Sequence, residues 1–520
     1  MAEISGKIRT RLAPSPTGYM HIGTLRTGLF SFLLARHNGG TNILRIEDTD
    51  QKREVAGALE NLVEMLHKMG VEFDEGYYWD VSTNTAKERG DYGPYLQSKR
   101  LDLYKRYALE LIEQGKAYYC FCSPERLEEV RAEQTALKKP PMYDRLCRGL
   151  TAETVQAKLA EFNNAGQKPV VRQAIPLSGE TTFTDLVYGQ ITIQHSVLDD
   201  QVLLKSDDFA TYNFANVIDD HLMGITHIIR GDEFISSTPK YVLLYQAFNW
   251  PTPQFAHLPL IVNPDKTKLS KRQGDVAVED YLKKGYLKEA LINFVVFLGW
   301  NPKSEQEFFT LEELIAQFEL DKVNKAAAVL DMSKLDWINS HYIRAKSPQE
   351  LAQLLIPYWL EVGYLENQNG NFTIKTLGNT LATNDYLEAI AELEQERLKK
   401  LSEIGERTAY FFQEPTFNYE LLTWKKSTIS DAKEKLTAVA SLLAKQEQTI
   451  LTSKEALEEL LLSFIKENGY DTGSVLWPLR VALTGQAASP GPFEVGSVLA
   501  TGLGKEALVA RIQKAVNLIP

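Results

Sequence analysis

Residues 7–46 read KIRTRLAPSPTGYMHIGTLRTGLFSFLLARHNGGTNILRI, and the rest of the chain is best read outward from them. Lys7–Leu12 has strand character, Ala13–Gly18 is a loop fixed by two prolines, and from Ile22 to His37 the residues Leu25, Leu29, Phe32 and Leu33 recur at helical spacing. Asn38-Gly39-Gly40 is a helix stop, and Thr41–Ile46 reads as a second strand. A strand, a helix and a strand of this length predict a crossover between parallel neighbours, hence an open α/β sheet. In such a sheet the ligand crevice lies outside the carboxyl ends of the strands.

Further along, residues 51–70 carry Leu59, Leu62, Val63 and Leu66 on one helical face. Ser98–Gln114 does the same with Leu101, Tyr104, Ala108 and Leu111. From 119 to about 200 the pattern changes to short β-rich pieces, Thr181–Leu186 and Gln190–Ile193, after a Lys138-Lys139-Pro140-Pro141 break. Apolar α/β text resumes at Val202–Leu204 and runs through Ile228-Ile229-Arg230. Two arrangements fit: a first domain split by an inserted α+β module, which is the expectation adopted, or two independent domains in tandem. After about 340 the text is helical nearly throughout, as in Pro348–Leu360, Tyr386–Phe412, Ser430–Lys445 and Lys454–Glu467. Trp477-Pro478-Leu479-Arg480 reads as a core turn.

The 520 residues are 44% hydrophobic and 24% charged, an ordinary composition for about three to five folded domains. The net charge of −11 means that polyphosphate or RNA must be met by a local basic surface, because the overall field repels it. The opening MAEISGKIRTRL lacks the apolar core of a signal peptide, and no apolar run reaches the roughly 18–20 residues that cross a bilayer. A cytoplasmic protein with no membrane partner is expected. Three cysteines, an odd number, argue against a disulfide framework.

Two elements carry phosphate chemistry. In Pro14-Ser15-Pro16-Thr17-Gly18, followed by His21-Ile22-Gly23-Thr24, a loop opens a helix whose free N–H groups and dipole attract phosphate, and His21 can donate to a phosphate oxygen. Far downstream, Lys268-Leu269-Ser270-Lys271-Arg272 puts three cations into five residues, enough to neutralise charge moving to a leaving diphosphate.

Together with Arg45-Ile46-Glu47-Asp48-Thr49-Asp50, these motifs resemble the bacterial glutamyl-tRNA synthetases, a branch of the class I aminoacyl-tRNA synthetases. The likeness continues through Tyr212–Asp220, Arg230-Gly231-Asp232-Glu233 and Leu330–Leu335 to Pro478–Gly485, and so covers essentially the whole chain. Thr24 stands where the class has a second histidine, and Leu269 where it has methionine, a near-isosteric exchange.

The resemblance implies a Rossmann-like parallel-sheet catalytic domain at 1–104 and 205–255. It also implies an inserted acceptor-end-binding module at 105–204, a stem-contact region at 256–340, and an all-α anticodon-binding half at 341–415 and 416–520. It implies activation of L-glutamate by ATP and Mg²⁺ to glutamyl-adenylate, then transfer to the terminal ribose of tRNA(Glu), by a monomer that binds tRNA before it activates glutamate. A relaxed enzyme would also charge tRNA(Gln). Catalytic charge would come from His21, Lys268 and Lys271. ATP would be bound by these three with Pro14, Ser15, Pro16, Thr17, Gly18, Gly23, Thr24, Glu233, Leu269, Ser270 and Arg272. Glutamate would sit among Arg11, Ser15, Glu47, Tyr212, Asn216 and Arg230. Chemistry agrees, since an arginine offers a carboxylate a bidentate fork and a neutral glutamine would leave it unpaired. Arg230 is the choice for the side-chain carboxylate, the alternative being an ion pair with Asp232 or Glu233; Glu47 is the choice for the α-ammonium.

Cys120, Cys122 and Cys147 cluster within one short segment. Thiolates suit tetrahedral Zn²⁺, and three buried reduced thiols are the other reading. The resemblance offers Tyr143 as fourth ligand, as in some relatives; no histidine lies between His67 and His195. In the C-terminal half Arg397, Lys399 and Lys400 are either RNA contacts or a charged helix face. Three rival functions remain to be separated: a glutaminyl enzyme, which the helical C-terminal half opposes; a nucleotidylyltransferase acting on a small metabolite; and a non-catalytic RNA-binding regulator.

Overall fold

The structure is a computed structural model that describes residues 7–267, 269 and 277–520. It divides into two compact units, residues 1–281 with 291–332, and residues 282–290 with 333–520.

In the first unit the expected strand, helix and strand are β1 (Arg9–Leu12), α1 (Ile22–His37) and β2 (Thr41–Leu44), with β1 and β2 parallel. The helix α1 buries Leu25, Leu29, Phe32 and Leu33 as its spacing predicts, and Arg26, Gly28, Phe30 and Ser31 as well. It is enclosed on several faces, so its apolar residues form no single stripe. A Cβ at Gly28 would stand 2.9 Å from Leu12 Cδ2, and glycine there lets helix and sheet approach closely.

The chain continues through α2 (Ala58–Lys68), β3 (Glu75–Asp80), β4 (Thr85–Arg89) and α3 (Leu101–Glu113). The helix expected over 51–70 begins only at Ala58, because Gly57 takes a left-handed φ of 77° immediately before it. Next come β5 (Ala117–Cys120), α4 (Pro124–Ala136), α5 (Ala152–Asn164), β6 (Val170–Gln173), β7 (Glu180–Asp185), β8 (Gly189–Gln194) and β9 (Val202–Leu204). The first unit's sheet is completed by α6 (Tyr212–Leu222), β10 (His227–Gly231), α7 (Thr238–Ala247) and β11 (Gln254–Leu258).

One sheet runs β1-β2-β3-β4 and another β10-β11-β7-β8. They meet edge to edge: Thr226, just before β10, donates its N–H to the Arg9 carbonyl at 2.9 Å and accepts the Arg9 N–H on Oγ1 at 2.8 Å. The chain therefore leaves β1 toward β2 on one side and returns beside it as β10 on the other. The crevice between β1 and β10 is the point where strand order reverses, the usual seat of ligands in such sheets.

Two expectations about the middle of the chain are corrected. The hairpin of β7 and β8 belongs to the main sheet, with β7 parallel to β11 through Phe255 and Asp185. The strand β9, read as resumption of the main sheet, pairs instead with β6 in a small antiparallel sheet β5-β6-β9. That small sheet packs Cys120 and Val170 into a cluster with Tyr143 and Cys147, and shares the rest of its core with the main sheet's helices. Val171, Leu203 and Leu204 pack into one cluster with Tyr104 and Leu111 of α3, Phe214 of α6 and Tyr241 and Tyr245 of α7. The tandem-domain alternative fails on that shared core.

The second unit is helical, with Ser347 and Glu350 forming a reciprocal cap at the start of Pro348–Glu361, and Thr428 with Asp431 doing the same for Ile429–Ala444. A three-stranded antiparallel ribbon, Glu366–Gln368, Asn371–Ile374 and Thr380–Ala382, interrupts the expected all-α half. Its signal was in the sequence: Asn369-Gly370, at φ 55° and 90°, is the two-residue turn that closes a hairpin. Tyr386–Phe412 is two helices, Asn384–Gln395 and Ile404–Phe412. Trp477-Pro478 lies inside the helix Thr472–Thr484 and not in a turn, with the Trp477 indole donating to the Leu421 carbonyl at 2.8 Å. Among the described residues no helix is long and apolar enough to cross a membrane.

The last helical segment, Pro492–Leu518, presses Gly502 against the fully buried ring of Tyr386, where a Cβ would meet ring carbons at 2.1–2.4 Å. The Tyr386 hydroxyl is tied to the Phe411 carbonyl at 2.7 Å, so the ring has nowhere to retreat. Gly502→Ala is expected to destabilise the second unit by about 1–3 kcal/mol, read as a lower midpoint in urea unfolding followed by far-UV circular dichroism.

Candidate active site

A cavity of about 940 Å³ opens at the carboxyl ends of β1, β2 and β10. Arg11, Leu12 and Ala13 enter it from β1, Glu47 and Thr49 from beyond β2, and Ile229, Arg230 and Gly231 from β10. Pro14, Ser15 and Thr17 form its rim, and α1 points its amino end into it. The first turn of α1 holds no acidic residue, so the positive end of its dipole is left for a ligand.

His21 is the N-cap of α1, its Nδ1 accepting the Gly23 N–H at 2.9 Å. An accepting Nδ1 carries no hydrogen, so the neutral ring keeps its proton on Nε2. The same side chain therefore caps the helix through one nitrogen and carries its hydrogen on the other. Gly23 and Thr24 line the cavity beside it.

Beneath the cavity lies a buried charge network. Arg45, fully buried, bonds Asp220 Oδ1 at 2.7 Å and Glu47 Oε1 at 2.9 Å, and stands 3.8 Å from Asp219. Arg11 joins it through Asp220 at 3.1 Å, and Arg100, Gln97 and Tyr104 close on Asp219 at 2.8, 2.9 and 2.7 Å. Three guanidinium groups thus face three carboxylates, the balance that buried charges require. Burial outweighs the Arg45 pair at Glu47 and pushes its carboxyl up to about 7. Glu47 Oε2 has no hydrogen-bond partner among the described residues and its residue faces the cavity.

Arg230 has no ion pair with Asp232 or Glu233; Asp232 instead accepts from the Tyr188 hydroxyl and the Leu260 N–H. The Arg230 guanidinium donates to His257 Nε2 at 3.1 Å and Thr238 Oγ1 at 2.8 Å, and lies over the rings of Tyr241, Phe234 and Phe255. Its Nη1 is buried with no partner among the described residues. A cationic donor left unmatched in an aromatic cleft is suited to an incoming carboxylate.

The expected residues divide as follows. Arg11, Pro14, Ser15, Thr17, His21, Gly23, Thr24, Glu47, Tyr212, Arg230, Glu233 and Leu269 all line the cavity. Asn216 does not: its amide is turned back onto the Tyr212 carbonyl at 2.6 Å, one helical turn earlier. Pro16 and Gly18 shape the loop and stand off the wall; the Pro16 carbonyl accepts the Val55 N–H. Lys268, Ser270, Lys271 and Arg272 lie outside the described residues. Sequence reading missed the supports. Arg45 could have been found, since it alternates with Glu47 and so shares its face of the extended chain. Arg26, which binds the Leu298 and Pro259 carbonyls from inside α1, left no sequence signal.

Away from this cavity, Cys120, Cys122 and Cys147 bring their sulfurs within 4.8 Å of one another, with Cys122 and Cys147 at 3.6 Å. The Tyr143 oxygen stands 3.3 Å from Cys120 Sγ and 3.4 Å from Cys122 Sγ. Sulfurs bound tetrahedrally to one ion are about 3.8 Å apart, given a Zn–S length of about 2.3 Å, so the donor set fits a metal. In the second unit a cavity of about 640 Å³ is lined by Arg397, Arg407, Glu403 and Gln486 around Glu394, whose side chain is fully buried. Arg397 is therefore part of a concave site, whereas Lys399 and Lys400 are not among its lining residues.

Comparison with known proteins agrees with this geometry. Residues 7–337 match the family model "tRNA synthetases class I (E and Q), catalytic domain", and residues 350–516 match "Anticodon binding domain". The chain is 42% identical over 518 residues to a glutamate–tRNA ligase of Clostridium botulinum, strain Eklund 17B, covering 99% of each. It is also 42% identical over 519 residues to that of Lachnoclostridium phytofermentans, covering 98% of each. A solved glutamate tRNA ligase from Elizabethkingia meningosepticum, in complex with its amino acid, superposes with a TM-score of 0.85 at 32% identity, covering 99% of this chain and 100% of that one. The open sheet, the cavity at its reversal point and these matches along both units agree: the chain belongs to the class I tRNA synthetases of the E and Q family.

Proposed function

We propose that this chain is a glutamate–tRNA ligase. The observation that carries the reading is Arg230, a buried guanidinium with one unmatched donor, sharing a cavity with the amino end of α1. The names of the relatives point the same way.

On this reading glutamate lies with its side-chain carboxylate on Arg230 and its α-ammonium toward Glu47, Arg11 and Tyr212 completing the seat. ATP, as its Mg²⁺ complex, lies along Pro14–Thr24 with its phosphates at the amino end of α1. The α-carboxylate attacks the α-phosphorus, giving glutamyl-adenylate and diphosphate, and the terminal ribose hydroxyl of tRNA then takes the acyl group. No protein nucleophile is needed. Positioning and charge stabilisation supply the rate, with His21 Nε2–H donating to the phosphoryl oxygen and Lys268 and Lys271 neutralising the leaving diphosphate. Asn216 acts through Tyr212, by holding the turn on which that side chain stands.

The domain assignments complete the reading. Residues 1–104 and 205–255, with the β7–β8 hairpin and the end of β11 in their sheet, carry the chemistry, the rest of 105–204 takes the acceptor end of the tRNA, and the rest of 256–340 takes its stem. Residues 341–415 and 416–520 take the anticodon, and the cavity around Glu394, Arg397 and Arg407 is where polar groups could match the edges of a splayed base. The protein acts as a cytoplasmic monomer. Zn²⁺, held by Cys120, Cys122, Cys147 and Tyr143, would clamp the inserted module without entering the reaction.

Three measurements test this. Purified enzyme with radiolabelled glutamate is expected to charge tRNA(Glu); charging of tRNA(Gln) as well would identify a relaxed anticodon reader, and charging of neither would remove the assignment. Since Glu47 loses its charge as pH falls through about 7, the KM for glutamate should rise as pH is lowered from about 8 to about 6, and Glu47→Gln should abolish that slope. A flat KM in wild type would free Glu47 from the ammonium. Atomic emission should find about one zinc per chain in wild type and far less in Cys120→Ser; a metal-free wild type would leave the cysteines as packed thiols.

A further inference from the structure

Arg230, His257 and Asp185 stand on three neighbouring parallel strands. Arg230 on β10 is the ladder partner of His257 on β11, and Asp185 ends β7 beside Phe255 of β11. All three side chains are buried, Asp185 and His257 completely. Asp185 and His257 are absent from the cavity lining, which Arg230 reaches.

The hydrogen bonds between them have one consistent assignment. Arg230 Nε can only donate, so His257 Nε2, 3.1 Å away, accepts and carries no hydrogen. The ring hydrogen is then on Nδ1, which donates to Asp185 Oδ2 at 2.6 Å. Burial holds the His257 pKa below its ordinary value, which keeps the ring neutral beside the arginine. Asp185 is fixed in turn by backbone: Oδ1 accepts the Val187 and Tyr188 N–H groups at 2.9 and 2.8 Å, and Oδ2 accepts the His257 N–H at 3.1 Å. Thr238 Oγ1 takes Nη2 of Arg230 while passing its own proton to the Phe234 carbonyl. These contacts hold Nε and Nη2 of the guanidinium, and Nη1 has no partner among the described residues.

We infer that Asp185 and His257 are positioning residues that fix one imidazole tautomer and thereby the aim of Arg230, so that selection of an acidic side chain depends on a carboxylate outside the cavity wall. The inference rests on the reading of Arg230 as the seat of the substrate's side-chain carboxylate. Orientation of a reactive-site group through a buried carboxylate and a histidine tautomer is physically familiar.

The test is Asp185→Asn. Asparagine keeps the oxygen that Val187 and Tyr188 require, so that turn survives, but it replaces the other oxygen, which also accepts the His257 N–H, by an N–H donor. His257 Nδ1 must then accept, its hydrogen moves to Nε2, and two donors confront each other at Arg230 Nε. In aminoacylation assays the KM for glutamate should rise roughly 10–100-fold with kcat nearly unchanged, the KM for ATP should stay within about 2-fold, and preference for glutamate over glutamine should shrink. His257→Gln can still present a carbonyl oxygen to Arg230 and an N–H to Asp185, and should keep glutamate affinity that His257→Leu loses. An unchanged glutamate KM in Asp185→Asn, or equal losses toward glutamate and ATP with a lowered melting temperature, would overturn the inference. If Asp185→Asn does not fold, equal behaviour of His257→Gln and His257→Leu would overturn it instead. Wild type that charges no tRNA with glutamate would overturn the function reading as well, whereas failure of the relay alone leaves wild-type charging intact.

Discussion

Arg45 is a guanidinium with no access to water, and much of the catalytic unit is arranged around satisfying it. Leaving such a charge unpaired would cost several kcal/mol, so its partners are under strong constraint. They come from two places in the chain: Glu47 from beyond β2, and Asp219 with Asp220 from the end of α6. Through Asp220 the same network holds Arg11 on β1, and through Asp219 it holds Arg100 and Tyr104 at the start of α3. Replacing the whole cluster by apolar residues could stabilise the fold, but it would discard the one arrangement that carries Arg11 and Glu47 into the cavity with opposite charges side by side.

The cavity above that network is chemically divided. Toward α1 it offers backbone N–H groups, a helix dipole and an imidazole donor, all suited to phosphate. Toward β10 it offers a guanidinium walled by aromatic rings, suited to a single carboxylate. Between the two stand Arg11 and Glu47. This division is what the proposed chemistry needs, since an amino acid must lie with one end selected and the other held against a phosphorus atom. The Asp185–His257 pair belongs to the selecting end and Arg26, which reaches from α1 to the Leu298 and Pro259 carbonyls, to the phosphate end.

Legibility followed locality. The β1–α1–β2 unit was readable because strand, loop and helix each announce themselves within a few residues, and His21 could be placed at a helix start from its neighbours alone. The Asn369-Gly370 hairpin is equally local, but its three strands are only three or four residues long and lie between strongly periodic helical segments. Arg230 lines the cavity, and its rival reading, an ion pair with Asp232 or Glu233, is decided only by where those carboxylates point. Asn216 shows the limit from the other side: at the right turn of the right helix, its amide bonds back to Tyr212 and leaves the wall to its neighbour.

The sequence by itself determined the β1–α1–β2 unit, the helical character of the C-terminal half, the proline-fixed loop before α1 and the family likeness, because these depend on residues close together in the chain. Only the tertiary structure decided that the β7–β8 hairpin joins the main sheet and that β9 does not, since an apolar alternation of strand length fits either edge. That placement brings Asp185 to His257 and His257 to Arg230, across separations of 72 and 27 residues. It also brings Asp220 to Arg45 across 175. Pairings of that range leave no local trace, because a buried charge fixes the number and geometry of its partners but not their distance along the chain.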